Sequence, residues 1–121
     1  MTKSLSHRGP DNEGTFIKNN FGFGHLRLSI LDLSTKGNQP MTSKSGRFII
    51  TYNGEIYNFN EIKRELKNKF EFTTLTDTEV ILNSFEAWGI EAIKKFNGMF
   101  AFAIYDNEMK EFFLVRDRYG I

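Results

Sequence analysis

Asparagine, glycine and glutamate stand together at Asn53, Gly54 and Glu55, directly after the apolar run "RFIITY". The Asn53 side-chain amide and the Gly54 N–H together offer two donors to one oxygen. That is the composition of an oxyanion hole, where donors are aimed at charge that appears only in the transition state. Gly54 also lets the backbone approach a ligand without a Cβ in the way, and Glu55 adds a carboxylate for an ammonium group. The plain alternative is a loop that uses Asn-Gly for its tolerance of positive φ. A second group is His25-Leu26-Arg27-Leu28-Ser29. If Arg27 faces a cleft, its planar fork can grip a carboxylate with two parallel hydrogen bonds; otherwise this is the solvated face of a sheet. The third is Asp77, beside a helix start, where an aspartate either caps the helix or holds an α-amino group. One cation, two anions and an amide donor pair suit a zwitterionic amino acid with an amide side chain. The combination is more specific than any part, although the pattern alone does not name the ligand.

The elements that would position these groups follow from periodicity. In "FGFGHLRLSILDL" Leu26, Leu28 and Ile30 share one face, and His25, Arg27 and Ser29 the other. The opening "SLSHRGPDNEGTF" is turn-rich, and "STKGNQPMTSKSG" reads as a loop. Residues 47–52 form a short strand running into the Asn-Gly motif. Asn58 stands as an N-cap with Glu61 in the capping-box position, ahead of a helix whose Phe59, Ile62 and Leu66 make one stripe. "KFEFTTL" alternates as a strand does. Thr76 and Glu79 repeat the capping box, Ile81, Phe85 and Trp88 give an apolar helical face, and Gly89 ends that helix. "IEAIKKFN" is a second short helix. In "MFAFAIYD" Phe100, Phe102 and Ile104 oppose Met99, Ala101 and Ala103, a strand to be covered on both sides. Asp106-Asn107 begins a turn from which "EFFLVRD" returns. The predicted class is α+β, antiparallel strands with helices packed on them.

Composition narrows the function. A chain of 121 residues holds one domain with a real core, and its 13 phenylalanines point to a packed interior. Sixteen basic and fifteen acidic side chains leave a net charge of +1, which gives no electrostatic case for nucleic acid or an acidic membrane surface. No apolar run approaches a membrane span and no signal peptide opens the chain, so a cytoplasmic location is expected. There is no cysteine, hence no disulfide. No metal site, internal repeat or low-complexity segment is expected.

In order along the chain, "HRGPD" (7–11), "GHLRLSILDLS" (24–34), "GNQPM" (37–41), "YNGEIYN" (52–58), "TDTEVIL" (76–82), "GMFAFAIYD" (98–106) and "RDRYGI" (116–121) resemble the N-terminal type-2 glutamine amidotransferase domain of the glutamine-hydrolysing asparagine synthetases. The resemblance spans essentially the whole chain. It implies an N-terminal-nucleophile fold, an α/β/β/α sandwich of antiparallel sheets, in which an N-terminal cysteine attacks the glutamine side-chain amide with the free terminal amine as base. Carried onto this chain, it implies that Arg27 binds the glutamine α-carboxylate, with the backbone of Leu28, Ser29, Ile30 and Leu31 lining the same site. Asn53 and Gly54 would form the oxyanion hole, Glu55 would help hold the substrate, and Asp77 would take the α-amino group. Ammonia would pass to a synthetase domain that uses ATP and magnesium to amidate aspartate, in a parent enzyme expected to be a homodimer. The chain departs from the family in having only six residues before "HRGPD", no cysteine anywhere, and an end at "RDRYGI". Residues 1–121 are therefore expected to be a partial amidotransferase domain, truncated at both ends and unable to hydrolyse glutamine alone. The alternatives are a glutamine-binding pseudoenzyme without a nucleophile and a gene fragment with no function of its own.

Overall fold

The computed structural model describes residues 3, 4, 7, 9, 11–18, 21–27 and 35–120. Its centre is a pair of nine-residue strands, β4 (Phe48–Ile56) and β5 (Gly98–Asp106), antiparallel and in unbroken register from Phe48↔Asp106 to Ile56↔Gly98. The two-residue β3 (Met41–Thr42) adds to the outer side of β4, and β6 (Glu111–Arg116) pairs with β5, giving the order β3-β4-β5-β6. Two further strands, β1 (Asn12–Lys18) and β2 (Phe21–Arg27), pair with each other in a separate antiparallel sheet.

Strand alternation decides which side chains meet the helices. Phe48, Ile50, Tyr52 and Ile56 of β4 and Phe100, Phe102 and Ile104 of β5 form the core with α1 (Phe59–Leu66) and α2 (Asp77–Trp88). From Asp77 to Phe85 every residue of α2 is buried, polar ones included, so this helix is enclosed and not merely laid on a surface. On the sheet's second face, Tyr105 and Phe112 meet Phe21 of β2, with ring centroids 4.5 and 4.7 Å apart. The Thr51 hydroxyl donates to the Gly24 carbonyl at 3.4 Å. Two sheets thus stack at that end. At the other end of the same face Met99, Ala101 and Leu114 are exposed, the last by 81%. The expectation that β5 is covered on both sides therefore holds, among the described residues, only toward its C-terminal end.

Several local expectations are corrected. Residues 12–16, read as part of a turn-rich opening, belong to β1, which has alternating exposure. The strand expected over 47–52 runs on through Asn53, Gly54 and Glu55 to Ile56, because β5 stays paired with it throughout. "KFEFTTL" is not a strand: Phe70 and Phe72 pack half-buried against the core, and the amides of Thr73 and Thr74 donate to the Glu79 carboxylate, both at 2.7 Å. Thr76 does cap α2, accepting from the Glu79 amide at 3.3 Å, while the Glu79 side chain serves those two upstream amides. Asn58 sits at the N-cap of α1 without a side-chain cap bond. Its amide group instead donates to the Lys95 carbonyl at 2.8 Å and accepts from the Asn97 N–H at 2.9 Å, joining two turns. Gly89 ends α2 with φ of 58°, and the following Gly89–Lys95 segment is 3-10 and not α-helical. Among the described residues no helix is long and apolar enough to cross a membrane.

The turn after β5 is held by Asp106. Arg47 donates to its buried carboxylate twice, Nε to Oδ1 at 3.0 Å and Nη2 to Oδ2 at 2.9 Å, and the amides of Glu108 and Met109 also donate to Oδ1. These bonds, Arg47's foremost, hold the carboxyl below the ordinary aspartate value. A folded-state value below the unfolded one stabilises the fold fully above the unfolded pKa of about 4, and the contribution is lost as pH falls through the folded value. Asp106→Asn is expected to lower the urea midpoint at about pH 7 and to flatten the acid limb toward pH 3. Midpoints measured across that range should converge; parallel curves for variant and parent would count against this role.

Candidate active site

The site is built on one edge of β4. Asn107 donates to the Arg47 carbonyl at 2.7 Å and Tyr57 to the Asn97 carbonyl at 2.7 Å, which fixes the odd-numbered residues of β4 as those bonded to β5. The even-numbered residues direct their N–H and C=O groups the other way, toward β3. Among the described residues that partner covers only Ile49 and Ile50, which leaves the edge without a strand partner from Tyr52 onward. Side chains close most of it. The Tyr52 N–H donates to Gln39 Oε1 at 2.6 Å, and the Ile56 N–H to Asp77 Oδ2 at 2.9 Å. Between these two held positions lies Gly54. A trans peptide points the N–H of one residue opposite the C=O of the residue before it. With the Asn53 carbonyl turned to β5, the Gly54 N–H therefore points outward along the open edge. Gly54 has φ of +144°, and a Cβ there would lie 2.1 Å from the Met99 carbonyl oxygen, so only glycine fits.

Asp77 opens α2 at this edge. It is 5% exposed, and its Oδ2 also accepts from the Tyr52 hydroxyl at 2.5 Å. Burial raises its pKa above the ordinary aspartate value, and the bonds from Tyr52 and Ile56 oppose that rise. The Tyr52 hydroxyl is itself pushed up, by burial first and then by the Asp77 charge. Arg27, from the end of β2, is buried as well, and its Nη1 donates to Asn38 Oδ1 at 2.8 Å. A Cβ at Gly37 would lie 2.4 Å from Arg27 Nη2 and 2.9 Å from Thr76 Cγ2. The guanidinium therefore lies against the turn at 35–37 beside Thr76, the neighbour of Asp77. Arg27, Gly54 and Asp77 are thus gathered around one strand edge. Asn53 and Glu55 are exposed and, by alternation, leave β4 on its other face, the face of Met99 and Ala101. Leu28, Ser29, Ile30 and Leu31 lie outside the described residues.

The glutamine amidotransferase domain family matches residues 1–121, the whole chain. The chain belongs to this family. Asparagine synthetase 2 (glutamine-hydrolysing) of Bacillus subtilis is 45% identical over 121 residues, which cover 100% of this chain and 16% of that protein. Asparagine synthetase B (glutamine-hydrolysing) of Escherichia coli is 37% identical over 121 residues, covering 100% of this chain and 22% of that one. The chain spans well under half the length of the curated relatives it matches. Among solved structures, the glutamine phosphoribosylpyrophosphate amidotransferase of B. subtilis, complexed with ADP and GMP, matches with a TM-score of 0.68 over 82% of this chain and 23% of that chain, at 23% identity. That likeness establishes the fold, the N-terminal-nucleophile amidotransferase fold expected from the sequence.

Four residues of this amidotransferase domain were not singled out by sequence. Gln39 ties the β4 edge to α2, with its Nε2 donating to Thr78 Oγ1 at 3.4 Å. Asn38 and Gly37 seat Arg27. Tyr52 reaches Asp77. The signal for the first three was a polar "GNQ" in a loop ahead of a strand; for Tyr52 it was a polar tip on an otherwise apolar strand face. His25 is half-buried and its Nε2–H donates to the Tyr52 carbonyl at 3.0 Å. Burial lowers its pKa, which favours the neutral ring. Among the described residues no three His, Cys, Asp or Glu side chains are grouped to hold a metal ion.

Proposed function

We propose that the β4 edge is a site for L-glutamine. Arg27 takes the α-carboxylate, Asp77 the α-amino group, and the Gly54 N–H the oxygen of the side-chain amide as it gains charge; the Asn53 amide, which leaves β4 on the opposite face, joins it by turning back over the strand edge. The same proposal assigns Glu55 and residues 28–31 to the glutamine site, as the resemblance implies. The observation that carries this reading is the Gly54 amide, directed outward between two neighbours whose own amides are held by Gln39 and Asp77. The 121 residues contain no cysteine, so their part is to bind glutamine and polarise its amide; the family's thiol nucleophile is not among them. Ammonia transfer to a synthetase domain that amidates aspartate with ATP and magnesium belongs to the same proposal, and no residue of this chain is assigned to those two. A homodimeric parent enzyme and a cytoplasmic location complete it.

Calorimetric titration with L-glutamine tests the site. Saturable binding is expected, and Arg27→Ala is expected to weaken it roughly thirtyfold, as loss of charge-assisted hydrogen bonds worth about 2 kcal/mol implies. Arg27→Lys, a point charge without the fork, should fall between the two. No heat at millimolar glutamine would overturn the assignment.

A further inference from the structure

Tyr52 precedes Asn53-Gly54 directly, and each of its three polar groups is tied to a different segment. Its N–H donates to Gln39 Oε1 at 2.6 Å, its C=O accepts from His25 Nε2 at 3.0 Å, and its hydroxyl donates to Asp77 Oδ2 at 2.5 Å. The ring belongs to the core, and phenylalanine would fill the same volume. What phenylalanine lacks is the hydroxyl, which goes to a buried carboxylate. An O–H···O⁻ bond of this length is of the strong, charge-assisted kind.

We propose that the Tyr52 hydroxyl is a positioning group for the amino end of the glutamine site: with the Ile56 N–H it occupies Asp77 Oδ2, fixes the carboxylate plane, and leaves Oδ1 to receive the ligand's ammonium. This rests on the glutamine reading. The charges around Asp77 explain why such a group is needed. Burial disfavours the ionised carboxylate, and Glu55 of β4 adds a like charge. Glu79 lies two residues on in α2, engaged with Thr73 and Thr74. From β2, Arg27 lies against Thr76 and the neutral-leaning His25 on the Tyr52 carbonyl. The Tyr52 hydroxyl, the Ile56 amide and Asp77's own backbone amide favour the ionised form, the hydroxyl foremost. Without the hydroxyl, Asp77 takes up a proton more readily, and a neutral acid does not hold an ammonium group.

The test is Tyr52→Phe, read in two ways. In the ligand-free chain, the Asp77 carboxyl carbon resonance, assigned by its loss in Asp77→Asn, is titrated by NMR. Its midpoint is expected to move to higher pH in Tyr52→Phe, and an unmoved midpoint overturns the proposal. This arm does not need glutamine to bind, so it stands apart from failure of the glutamine reading, which would show as no binding by the unmutated chain. In the second arm, glutamine affinity of Tyr52→Phe is expected to fall roughly tenfold near pH 6 and to recover toward the parent value at higher pH. A loss equal at every pH, or no loss, overturns the positioning role. Thermal unfolding first establishes that the variant folds. Should it not, the Tyr52 hydroxyl proton of the unmutated chain reads the same bond. Its resonance is expected to shift as Asp77 titrates, and independence from that titration overturns the proposal.

Discussion

Alanine at Gly54 is expected to lower the unfolding free energy by about 3 kcal/mol or more and to weaken glutamine binding along with it. Two costs combine. The backbone holds φ of +144°, a conformation alanine adopts only under strain. The new Cβ would also lie 2.1 Å from the Met99 carbonyl oxygen and 2.6 Å from Phe100 Cα. Both obstacles are backbone atoms of β5 and have no rotamer to escape into. Relief requires the strands to part where Gly54 pairs with Phe100, and that movement displaces the outward amide of the site. Gly46→Ala supplies the control, since Gly46 also has positive φ, +79°, but nothing within 4 Å of its Cβ position. Its expected cost is about 1 kcal/mol, from conformation alone. Urea denaturation of both variants separates the terms; equal losses would show that crowding against β5 contributes nothing.

Removing the Phe85 ring is expected to cost about 3–5 kcal/mol, with a fall in Tm on the order of 10–15 °C. Phe85 is 2% exposed and its ring stands edge-on to three others, Phe48, Phe102 and Phe113, at centroid separations of 5.9, 6.0 and 5.7 Å. These come from β4, β5 and β6, so one side chain pins α2 across three strands. Deleting the ring leaves a cavity that rigid neighbours on a sheet cannot collapse to fill. Asp77, Ile81 and Phe85 recur at four-residue spacing along one stripe of α2, so loosening the helix at Phe85 also loosens the carboxylate at its start. Phe85→Leu should recover about half of the loss by refilling part of the volume. A cost for Phe85→Ala below about 1 kcal/mol would mean that α2 is held elsewhere.

What could be read from sequence was what depends on near neighbours along the chain. The Thr76 cap, the stop at Gly89 and the two strands of "MFAFAIYD" and "EFFLVRD" are local, and each stands in the structure. The errors fell where a distant partner decides. Alternation in "KFEFTTL" says that a strand would be amphipathic; it does not say that a partner strand exists, and Glu79 instead takes two of its amides. Gly14 looked like part of a turn, yet it lies in β1, paired with His25 of β2, and glycine stands there because a Cβ would sit 1.8 Å from the Gln39 carbonyl oxygen. The Asn58 amide was read as a cap and is drawn away by Lys95 and Asn97, almost forty residues on. Arg27, Gly54 and Asp77 were visible by type. Gln39 and Tyr52 were not, since their roles exist only once β3 stops short and leaves β4 an edge to be managed.

The brevity of β3 also bears on how the protein behaves in a crowd of its own copies. A bare strand flank invites sheet growth from molecule to molecule, because a newcomer can zip onto successive unpaired amides. Along this flank the amides on either side of Gly54 already have acceptors in Gln39 and Asp77. Among the described residues from Tyr52 to Ile56, a newcomer would find no continuous run of free amides to climb. The side chains that hold these amides therefore also disfavour polymerisation from this flank.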